Sequence, residues 1–339
     1  MPAVAAVQMA AIPMDTAGSL DAIRSHAAEA AARGAELVVF PELLVPGYPR
    51  YVPDPFPSTP EGHELWADIQ RYFRAYVDSS PVVPGPFTDS LAEIARSTGT
   101  DILVGVSERH PTIRAALWNT AVMVSREHGY VGKRRKLVAV MHERLIFQRG
   151  GRDDLVVFDS SAGTVAACIC FENHHPGIRR ALGRLGADIH CALWTSPVPR
   201  AIAERGEHLE QHRELGVAQA LDTGTWVVIS SQVNPRTPAG GDFGSRWTHS
   251  GGSYIIDPLG RTVAEVPDYE EGIAVADVDL SLIDVGRLIW HPFGDDLRDD
   301  VFGDDAPRPP DPGADPMAAL RWLETSEGND ALPSAPAEV

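Results

Sequence analysis

The fold is set by Val165-Ala166-Ala167-Cys168-Ile169-Cys170-Phe171-Glu172-Asn173, an apolar run that ends in a polar turn. The short apolar run predicts a buried strand that stops at the second cysteine. A helical pattern over 176–185 follows it, and a second apolar run over 189–193 comes next. A strand, a helix and a strand in this order are typical of an α/β fold.

The same alternation extends along the chain on both sides of this unit. Strands are predicted over 4–9, 37–40, 102–106, 120–125, 155–158, 165–169, 189–193, 226–230, 253–256, 261–266 and 274–278. Helices are predicted over 19–33, 61–77, 89–97 and 176–185 and within 200–221, with Ser19 and Thr88 as N-caps of the first and third. No repeat or internal linker interrupts the pattern, so we predict one domain over residues 1–295.

The last part of the chain differs in composition. Residues 295–339 carry 12 Asp or Glu against 3 Arg, which is half of the net charge of −18. Prolines interrupt this part throughout, and only 317–324 has the pattern of a short helix. We therefore predict that 296–339 is an acidic, proline-rich and mostly disordered tail.

Composition excludes several classes of function. The chain has 339 residues, of which 44% are apolar and 22% charged, and this is enough to bury a sizeable core. The negative charge repels phosphate backbones and anionic lipids, so we expect neither nucleic acid nor a membrane as a partner. The apolar windows are too short to span a bilayer. Three cysteines, two of them one residue apart, predict a reducing cytoplasm rather than a disulfide framework.

Lysine is nearly absent from the chain, and the two lysines lie close together. Of the 29 basic residues, 27 are arginine, and the others are Lys133 and Lys136. Arginine supplies the surface cations, so a lysine here indicates a task that needs a compact ammonium, such as stabilising a developing charge. The alternative for 132–137 is a basic surface turn, and Lys133 in particular is predicted to be a solvated turn residue.

Two further candidates follow buried strands. Glu42 comes directly after the second predicted strand, at the kind of sheet edge where α/β proteins bind ligands. Burial there raises the pKa of a carboxyl group and suits it to act as a general base. Cys170 stands at a strand-to-helix turn, where backbone N–H groups lower a thiol pKa and hold an oxyanion. Cys168 and Cys191 are predicted to be buried structural cysteines.

Glu42, Lys136 and Cys170, in this chain order, resemble the Glu-Lys-Cys catalytic triad of the nitrilase superfamily of carbon–nitrogen hydrolases. The similarity extends from residue 4 to 302 and includes Phe40-Pro41-Glu42, Pro46-Gly47-Tyr48-Pro49, Arg135-Lys136-Leu137, Glu143-Arg144, Cys170-Phe171-Glu172-Asn173 and Asp257-Pro258-Leu259-Gly260. The resemblance implies an α/β fold of four layers, an α-β-β-α sandwich. It also implies a homodimer or larger homo-oligomer, no cofactor and no metal.

The forms Pro-Gly-Tyr-Pro and Cys-x-Glu-Asn resemble the nitrilase branch. The implied reaction is hydrolysis of a nitrile to a carboxylic acid and ammonia, through a thioimidate and an acyl-enzyme on Cys170. Glu42 would be the base, Lys136 and the Phe171 backbone N–H would stabilise the tetrahedral centre, and Glu143 would orient the lysine or the water. Phe171 stands where nitrilases usually have Trp, so an amidase is the alternative.

The resemblance also places an apolar pocket for an aliphatic or arylaliphatic group beside the triad, lined by Tyr48, Tyr51, Phe171 and Trp194. Aromatic residues at such positions are equally ordinary in a protein core.

Other outcomes stay open from the sequence alone. The same intermediates permit hydration of the nitrile to an amide, or acyl transfer to an amine instead of water. Metal-dependent hydrolysis would need His174-His175, or the helical pair His208 and His212. A non-catalytic binding protein on the same fold is a further alternative.

Overall fold

The computed structural model describes residues 1–49, 60–199, 211–234 and 247–290. Within these residues two large β-sheets carry most of the chain, and six α-helices accompany them. The helices are α1 (Thr16–Ala32), α2 (Pro60–Ser79), α3 (Pro86–Thr98), α4 (Pro176–Arg184), α5 (Gln211–Thr223) and α6 (Ser281–Trp290). The predicted α/β class is therefore confirmed.

The first sheet has seven strands. They are β1 (Ala3–Gln8), β2 (Ala35–Val39), β3 (Asp101–Arg109), β4 (Leu117–Ser125), β5 (Gly129–Arg135), β6 (Phe147–Gln148) and β15 (Gly272–Asp277). Their order is β15-β1-β2-β3-β4-β5, and β6 pairs with β4. The three strands β1, β2 and β3 are parallel, while β15, β4 and β5 extend the sheet in antiparallel fashion.

The second sheet has six strands in the order β14-β13-β11-β9-β8-β7. They are β7 (Val157–Ser160), β8 (Gly163–Ile169), β9 (Ile189–Trp194), β11 (Trp226–Ser231), β13 (Tyr254–Ile256) and β14 (Thr262–Glu265). The strands β8, β9 and β11 are parallel, and α4 connects the first two as the sequence predicts. The short strands β10 (Pro197–Pro199) and β12 (Trp247–His249) form a separate antiparallel pair.

Strand alternation builds the layers. In β1, Val4 and Ala6 join the core between the two sheets, whereas Ala5 and Val7 join a second core that includes residues of α1 and α3. In β8 the inner residues likewise lie between the sheets, while Ala166 and Cys168 pack in a cluster with Leu182 of α4. Because both faces of the central parallel strands are buried, these strands are largely apolar, whereas the edge strands β5 and β14 are not. The predicted four-layer α-β-β-α sandwich is confirmed.

Two helix caps differ from the prediction. The first helix begins at Thr16 rather than at Ser19, because the Asp15 side chain accepts a hydrogen bond from the Gly18 backbone N–H at 2.9 Å. The third helix begins at Pro86, three residues before the predicted start. Thr88 lies inside its first turn, where the hydroxyl accepts from the backbone N–H of Gly85.

The strand β5 was not predicted, and it occupies most of the segment for which a basic surface turn was the alternative. Lys133 is a strand residue whose ammonium contacts Glu108 and the Val83 carbonyl, each at 2.6 Å, so its prediction as a solvated turn residue is wrong. The physical reason lies in the partners. Glu108 is buried, and it neutralises the cations on its face of the sheet.

The predicted tail, 296–339, lies outside the described residues, and the domain boundary at 295 stays a prediction. No helix of the described part of the chain is long and apolar enough to cross a bilayer.

Candidate active site

Cys170 stands directly after β8, at the first position of a 3₁₀ helix, Cys170–His174. Its φ of +54° is in the left-handed region, which is unusual for a residue other than glycine and is common at functional sites. Its side chain is 4% exposed, and the backbone N–H of Phe171 donates a hydrogen bond to the sulfur. The turn therefore aims the thiol away from the strand and supplies a donor beside it.

Glu42 lies three residues after Val39, the last residue of β2, and it is completely buried. Its backbone passes so close to β3 that a Cβ at Gly105 would lie 2.5 Å from the Glu42 Cα, so glycine is required there. Gln232 at the end of β11 donates its side-chain amide to the Glu42 carbonyl at 2.7 Å. Both sheets thus fix this backbone.

Lys136 follows β5, and its side chain is 2% exposed. Its Nζ donates to Oε1 of Glu42 at 2.9 Å and lies 3.1 and 3.0 Å from the two carboxylate oxygens of Glu143. One ammonium therefore lies between two buried carboxylates. This geometry uses the compact, multidirectional donor that distinguishes lysine from arginine.

Glu143 lies on a 3₁₀ helix, Met141–Leu145, that follows the lysine loop. One carboxylate oxygen accepts from the Val140 backbone N–H at 3.2 Å, and the other accepts from the Tyr48 hydroxyl at 3.2 Å. The sequence analysis assigned Tyr48 to the substrate pocket. Its hydroxyl contacts Glu143, and its place in a substrate pocket stays a prediction.

The charges of this cluster determine which groups are ionised. Burial raises the pKa of Glu42, and Lys136 opposes that rise. Burial and the Glu42 charge raise the pKa of the Cys170 thiol well above its usual range. Burial alone would lower the pKa of Lys136, but the surrounding anionic groups hold it well above its ordinary value. The pKa of the thiol is thus raised rather than lowered as the strand-to-helix turn predicts, because burial and the Glu42 charge outweigh the Phe171 backbone donor, so the thiol needs a neighbouring base to lose its proton.

Arg134 and Glu172 form a second buried ion pair that the sequence analysis did not identify. Both side chains have no solvent exposure, and the guanidinium contacts the carboxylate at 2.6 and 3.1 Å. Glu172 also accepts from the backbone N–H groups of Leu137 at 2.6 Å and Ile169 at 3.0 Å. These are the residue after the lysine and the residue before the cysteine, so one carboxylate joins the two segments.

Two asparagines also contact Glu42 and Cys170. Asn119 on β4 donates its side-chain amide to Oε1 of Glu42 at 2.7 Å. Asn173 donates to the Cys170 carbonyl at 2.8 Å, and its own carbonyl oxygen lies 3.0 Å from Nε2 of His190. Burial lowers the pKa of His190 to about 3, so this imidazole is neutral and donates. Asn119 directly precedes the predicted strand 120–125. Extending the alternation of that strand by one position places Asn119 on the same face as Ala121 and Met123, and this pattern could have identified it from sequence.

The predicted pocket residues have different surroundings. Phe171 is 38% exposed and stacks on His174, with ring centroids 4.9 Å apart. Trp194 is buried at the end of β9, and its ring centroid lies 6.3 Å from that of Phe171. Tyr51 lies outside the described residues. The structure therefore brings two of the four predicted pocket aromatics together.

The remaining cysteines and two of the candidate metal-binding histidines have structural surroundings. Cys168 and Cys191 are fully buried, as predicted. The exposed His174 packs its ring on Phe171, and His212 lies against Trp194 with Nδ1 at 3.2 Å from the Ser196 hydroxyl. His208 lies outside the described residues.

Comparison with known proteins places these residues in a family. The family model for carbon–nitrogen hydrolases matches residues 3–287. An aliphatic nitrilase of Sinorhizobium fredii is 33% identical over 309 residues, which cover 88% of this chain and 93% of that protein. A bifunctional nitrilase/nitrile hydratase of Lupinus angustifolius is 33% identical over 307 residues, which cover 87% of this chain and 83% of that protein.

Solved structures agree with the fold. A Saccharomyces cerevisiae member of branch 10 of the nitrilase superfamily superposes with a TM-score of 0.67 at 20% identity, covering 88% of this chain and 96% of that one. An amidase from Nesterenkonia sp. superposes with a TM-score of 0.59 at 21% identity, covering 86% of this chain and 95% of that one. At this identity the likeness extends to the fold alone.

Proposed function

The chain belongs to the carbon–nitrogen hydrolase family of the nitrilase superfamily, and from this premise we propose that it is a nitrilase that acts through Cys170. As a member, it is a hydrolase of carbon–nitrogen bonds other than peptide bonds. The proposed reaction converts a nitrile to a carboxylic acid and ammonia. The observation that supports it most is the buried contact of Lys136 with Glu42 and Glu143, in a cluster whose charges act on the Cys170 thiol.

The first step forms a bond between sulfur and the nitrile carbon. The Cys170 proton passes to Glu42 as the thiol attacks, and Glu42 then delivers it to the nitrile nitrogen, which gives a thioimidate. A burial-raised pKa suits Glu42 to both transfers, because the carboxyl group must first accept the proton and then release it. The thiol proton thus ends on the nitrile nitrogen, and this step consumes no water.

The second step adds water to the thioimidate carbon. Glu42 accepts a proton from the water and passes it to the imidate nitrogen, which gives a tetrahedral centre that carries a hydroxyl and an amino group. Glu42 then moves the hydroxyl proton to the amino group, so that ammonia leaves and a thioester remains on Cys170. A second water hydrolyses this acyl-enzyme and releases the acid. Lys136 and the Phe171 backbone N–H are the proposed donors to the tetrahedral centre, and removal of one such donor lowers the rate by about 10² to 10³.

Glu143 has a positioning task in this proposal. It contacts the same Lys136 ammonium as Glu42 and is itself held by Tyr48 and by the Val140 backbone N–H. A cation between two anions is held at one point, so it can stabilise charge without moving toward either carboxylate. Tyr48 thus supports the catalytic cluster through Glu143.

The nitrilase reaction is preferred to an amidase reaction because curated relatives at about 30% identity carry the name nitrilase over more than four fifths of this chain. The amidase is the second candidate. An amide would enter the same cycle at a tetrahedral centre on Cys170, and Phe171 replaces the tryptophan that nitrilases usually have after the nucleophile.

A substrate panel tests the proposal. Butyronitrile, phenylacetonitrile and the two matching amides would be incubated with the enzyme, and ammonia, acid and amide products would be quantified. We expect acid and ammonia from a nitrile, and no product with Cys170→Ala. Turnover of amides only would replace the nitrilase by an amidase, whereas amide product would indicate nitrile hydration. Added hydroxylamine would capture the acyl group if transfer to an amine competes with water.

We also propose a substrate pocket, an oligomeric state and a location for this protein. Phe171 and Trp194 are proposed to line an apolar pocket, since their rings lie within contact of each other beside the nucleophile. The active form is proposed to be a homodimer or larger, which light scattering of the purified protein measures. A cytoplasmic location is proposed from the reduced cysteines that the chemistry requires.

A further inference from the structure

We propose that Asn119 is a positioning residue for the base. It holds Oε1 of Glu42 beside Lys136, so that Oε2 is the oxygen that takes protons from the Cys170 thiol and from water. This inference rests on the proposed function and assigns a task within the same site. The base is then a single atom, Oε2 of Glu42, and Asn119, which is not a triad residue, determines which of the two oxygens it is.

The two oxygens of Glu42 have different surroundings. Oε1 accepts from Nδ2 of Asn119 at 2.7 Å and from Nζ of Lys136 at 2.9 Å. Oε2 is fully buried and has no hydrogen-bond partner among the described residues. Two donors on one oxygen stabilise negative charge there, and a buried acceptor without a donor has the greater tendency to bind a proton. The asymmetry therefore selects Oε2.

The backbone fixes Asn119 where this contact requires it. Asn119 lies on the same face of β4 as Ala121 and Met123, which belong to the core between the two sheets. Its carbonyl accepts from the Lys136 backbone N–H at 2.8 Å, so the donor and the lysine share one rung of the sheet. The amide nitrogen must face Glu42, because a carboxylate oxygen accepts hydrogen bonds and cannot donate one.

A neutral donor has a particular advantage at this point. The groups whose charge or ionisation couples to Glu42 are Lys136, Glu143, Cys170, Tyr48 and Tyr76. Lys136 is the single cation of this set. A second cation in place of Asn119 would bind the carboxylate so strongly that it could not serve as a base. The amide orients the carboxylate and opposes the burial-raised pKa without adding charge.

The test compares Asn119→Leu with Thr120→Val, its neighbour on the same strand. Thr120 donates to a different buried carboxylate, Glu108, at 2.9 Å, on the opposite face of β4. Each variant removes one donor from one buried carboxylate, but only the first touches the triad. Thermal unfolding of both variants would report the structural cost, and the pH profile of kcat/KM would report the task of the base.

We expect the acid limb of the Asn119→Leu profile to move up by about 1 pH unit, because loss of a donor to a charged group raises its pKa. We expect kcat to fall at least tenfold at the pH optimum, since Glu42 is no longer oriented, and Thr120→Val to keep the wild-type profile. If Asn119→Leu does not fold, Asn119→Ser carries the same expectation. An unchanged acid limb and kcat within twofold of wild type in a folded variant would overturn the proposal.

A second measurement separates this inference from the proposed function. The rate of Cys170 alkylation by iodoacetamide, followed by peptide mass at several pH values, needs no substrate. We expect its acid limb to move upward in the Asn119 variant as well, even if none of the panel substrates is turned over. An alkylation profile identical to that of wild type would overturn the positioning task, whichever substrate the enzyme uses.

Discussion

The carboxylate of Glu172 accepts hydrogen bonds from both terminal nitrogens of Arg134, at 2.6 and 3.1 Å, and neither side chain has any solvent exposure. Arg134 belongs to β5 of the first sheet, and Glu172 follows β8 of the second. The same carboxylate accepts the backbone N–H groups next to Lys136 and Cys170. The pair therefore ties together the backbone segments that carry Lys136 and Cys170.

We predict that Glu172→Gln lowers the free energy of unfolding by about 3–5 kcal/mol, because it leaves a buried guanidinium unpaired. Urea denaturation of the purified variant measures this change. The exposed pair of Arg213 and Glu265 provides the control, since Glu265→Gln removes a solvent-screened partner and should cost less than about 1 kcal/mol. Equal stability of the two variants would contradict the account of the buried pair.

The Glu172 pair also has a pH dependence whose sign follows from its pKa. Although burial opposes the charged form, Arg134 and the backbone donors hold the pKa of Glu172 below its ordinary value of 4.5. The stabilisation is present above pH 4.5 and is lost as the pH falls through the lower, folded-state pKa.

The second prediction separates the two lysines. Lys136→Arg should lower kcat/KM by about 100-fold or more, because Nζ lies between two carboxylates in a 2% exposed position that a planar guanidinium does not fit. Lys133→Arg should keep activity within about twofold, since Lys133 contacts Glu108 on the outer face and is 24% exposed. Steady-state kinetics would compare kcat/KM of both variants with that of wild type. Full activity of Lys136→Arg would mean that the lysine supplies only charge.

The third prediction concerns the pH profile of the wild-type enzyme. Glu42 must be ionised to accept a proton, and burial raises its pKa above 4.5. We therefore expect kcat/KM to fall on the acid side with a midpoint above pH 4.5, while the enzyme stays folded. Circular dichroism at each pH gives the control. Constant kcat/KM down to pH 4.5 in folded enzyme would contradict the role of Glu42 as the base.

The fourth prediction distinguishes the three cysteines. Cys168→Ala and Cys191→Ala remove fully buried sulfur atoms that lie in β8 and β9, so they should lower the melting temperature and leave kcat largely unchanged. Cys170→Ala should keep the fold and lose turnover. Differential scanning fluorimetry and steady-state assays on the three variants provide the comparison, and a loss of turnover with Cys168→Ala would contradict the assignment.

Regular periodicity explains which elements could be predicted. The strands around Val4, Val38 and Val165 are apolar on both faces, so their sequence indicates burial without reference to any partner. The strand β5 carries no such signal. Its Lys133-Arg134-Arg135 run is entirely basic, and the inward or outward direction of each side chain becomes evident only from Glu108 and Glu172 on the facing elements.

The same limit applies to the site. Glu42 and Cys170 follow apolar strands that the sequence predicts, and the motif around Lys136 adds the third residue by its resemblance to the nitrilase superfamily. Asn119 and Glu172 are ordinary polar residues by sequence, and their tasks depend on contacts between elements that lie 77 and 38 residues apart in sequence. Such contacts are fixed by sheet order and register, which local patterns do not contain.

The covalent intermediate tests the central claim most directly. Enzyme quenched with acid during turnover of a nitrile substrate would be digested, and the cysteine-containing peptides would be analysed by mass spectrometry. The account predicts the mass of a thioimidate or acyl adduct on Cys170, and no adduct in Cys170→Ala. An adduct on Cys168 or Cys191, or rapid turnover with unmodified Cys170 under conditions that trap thioesters, would contradict it.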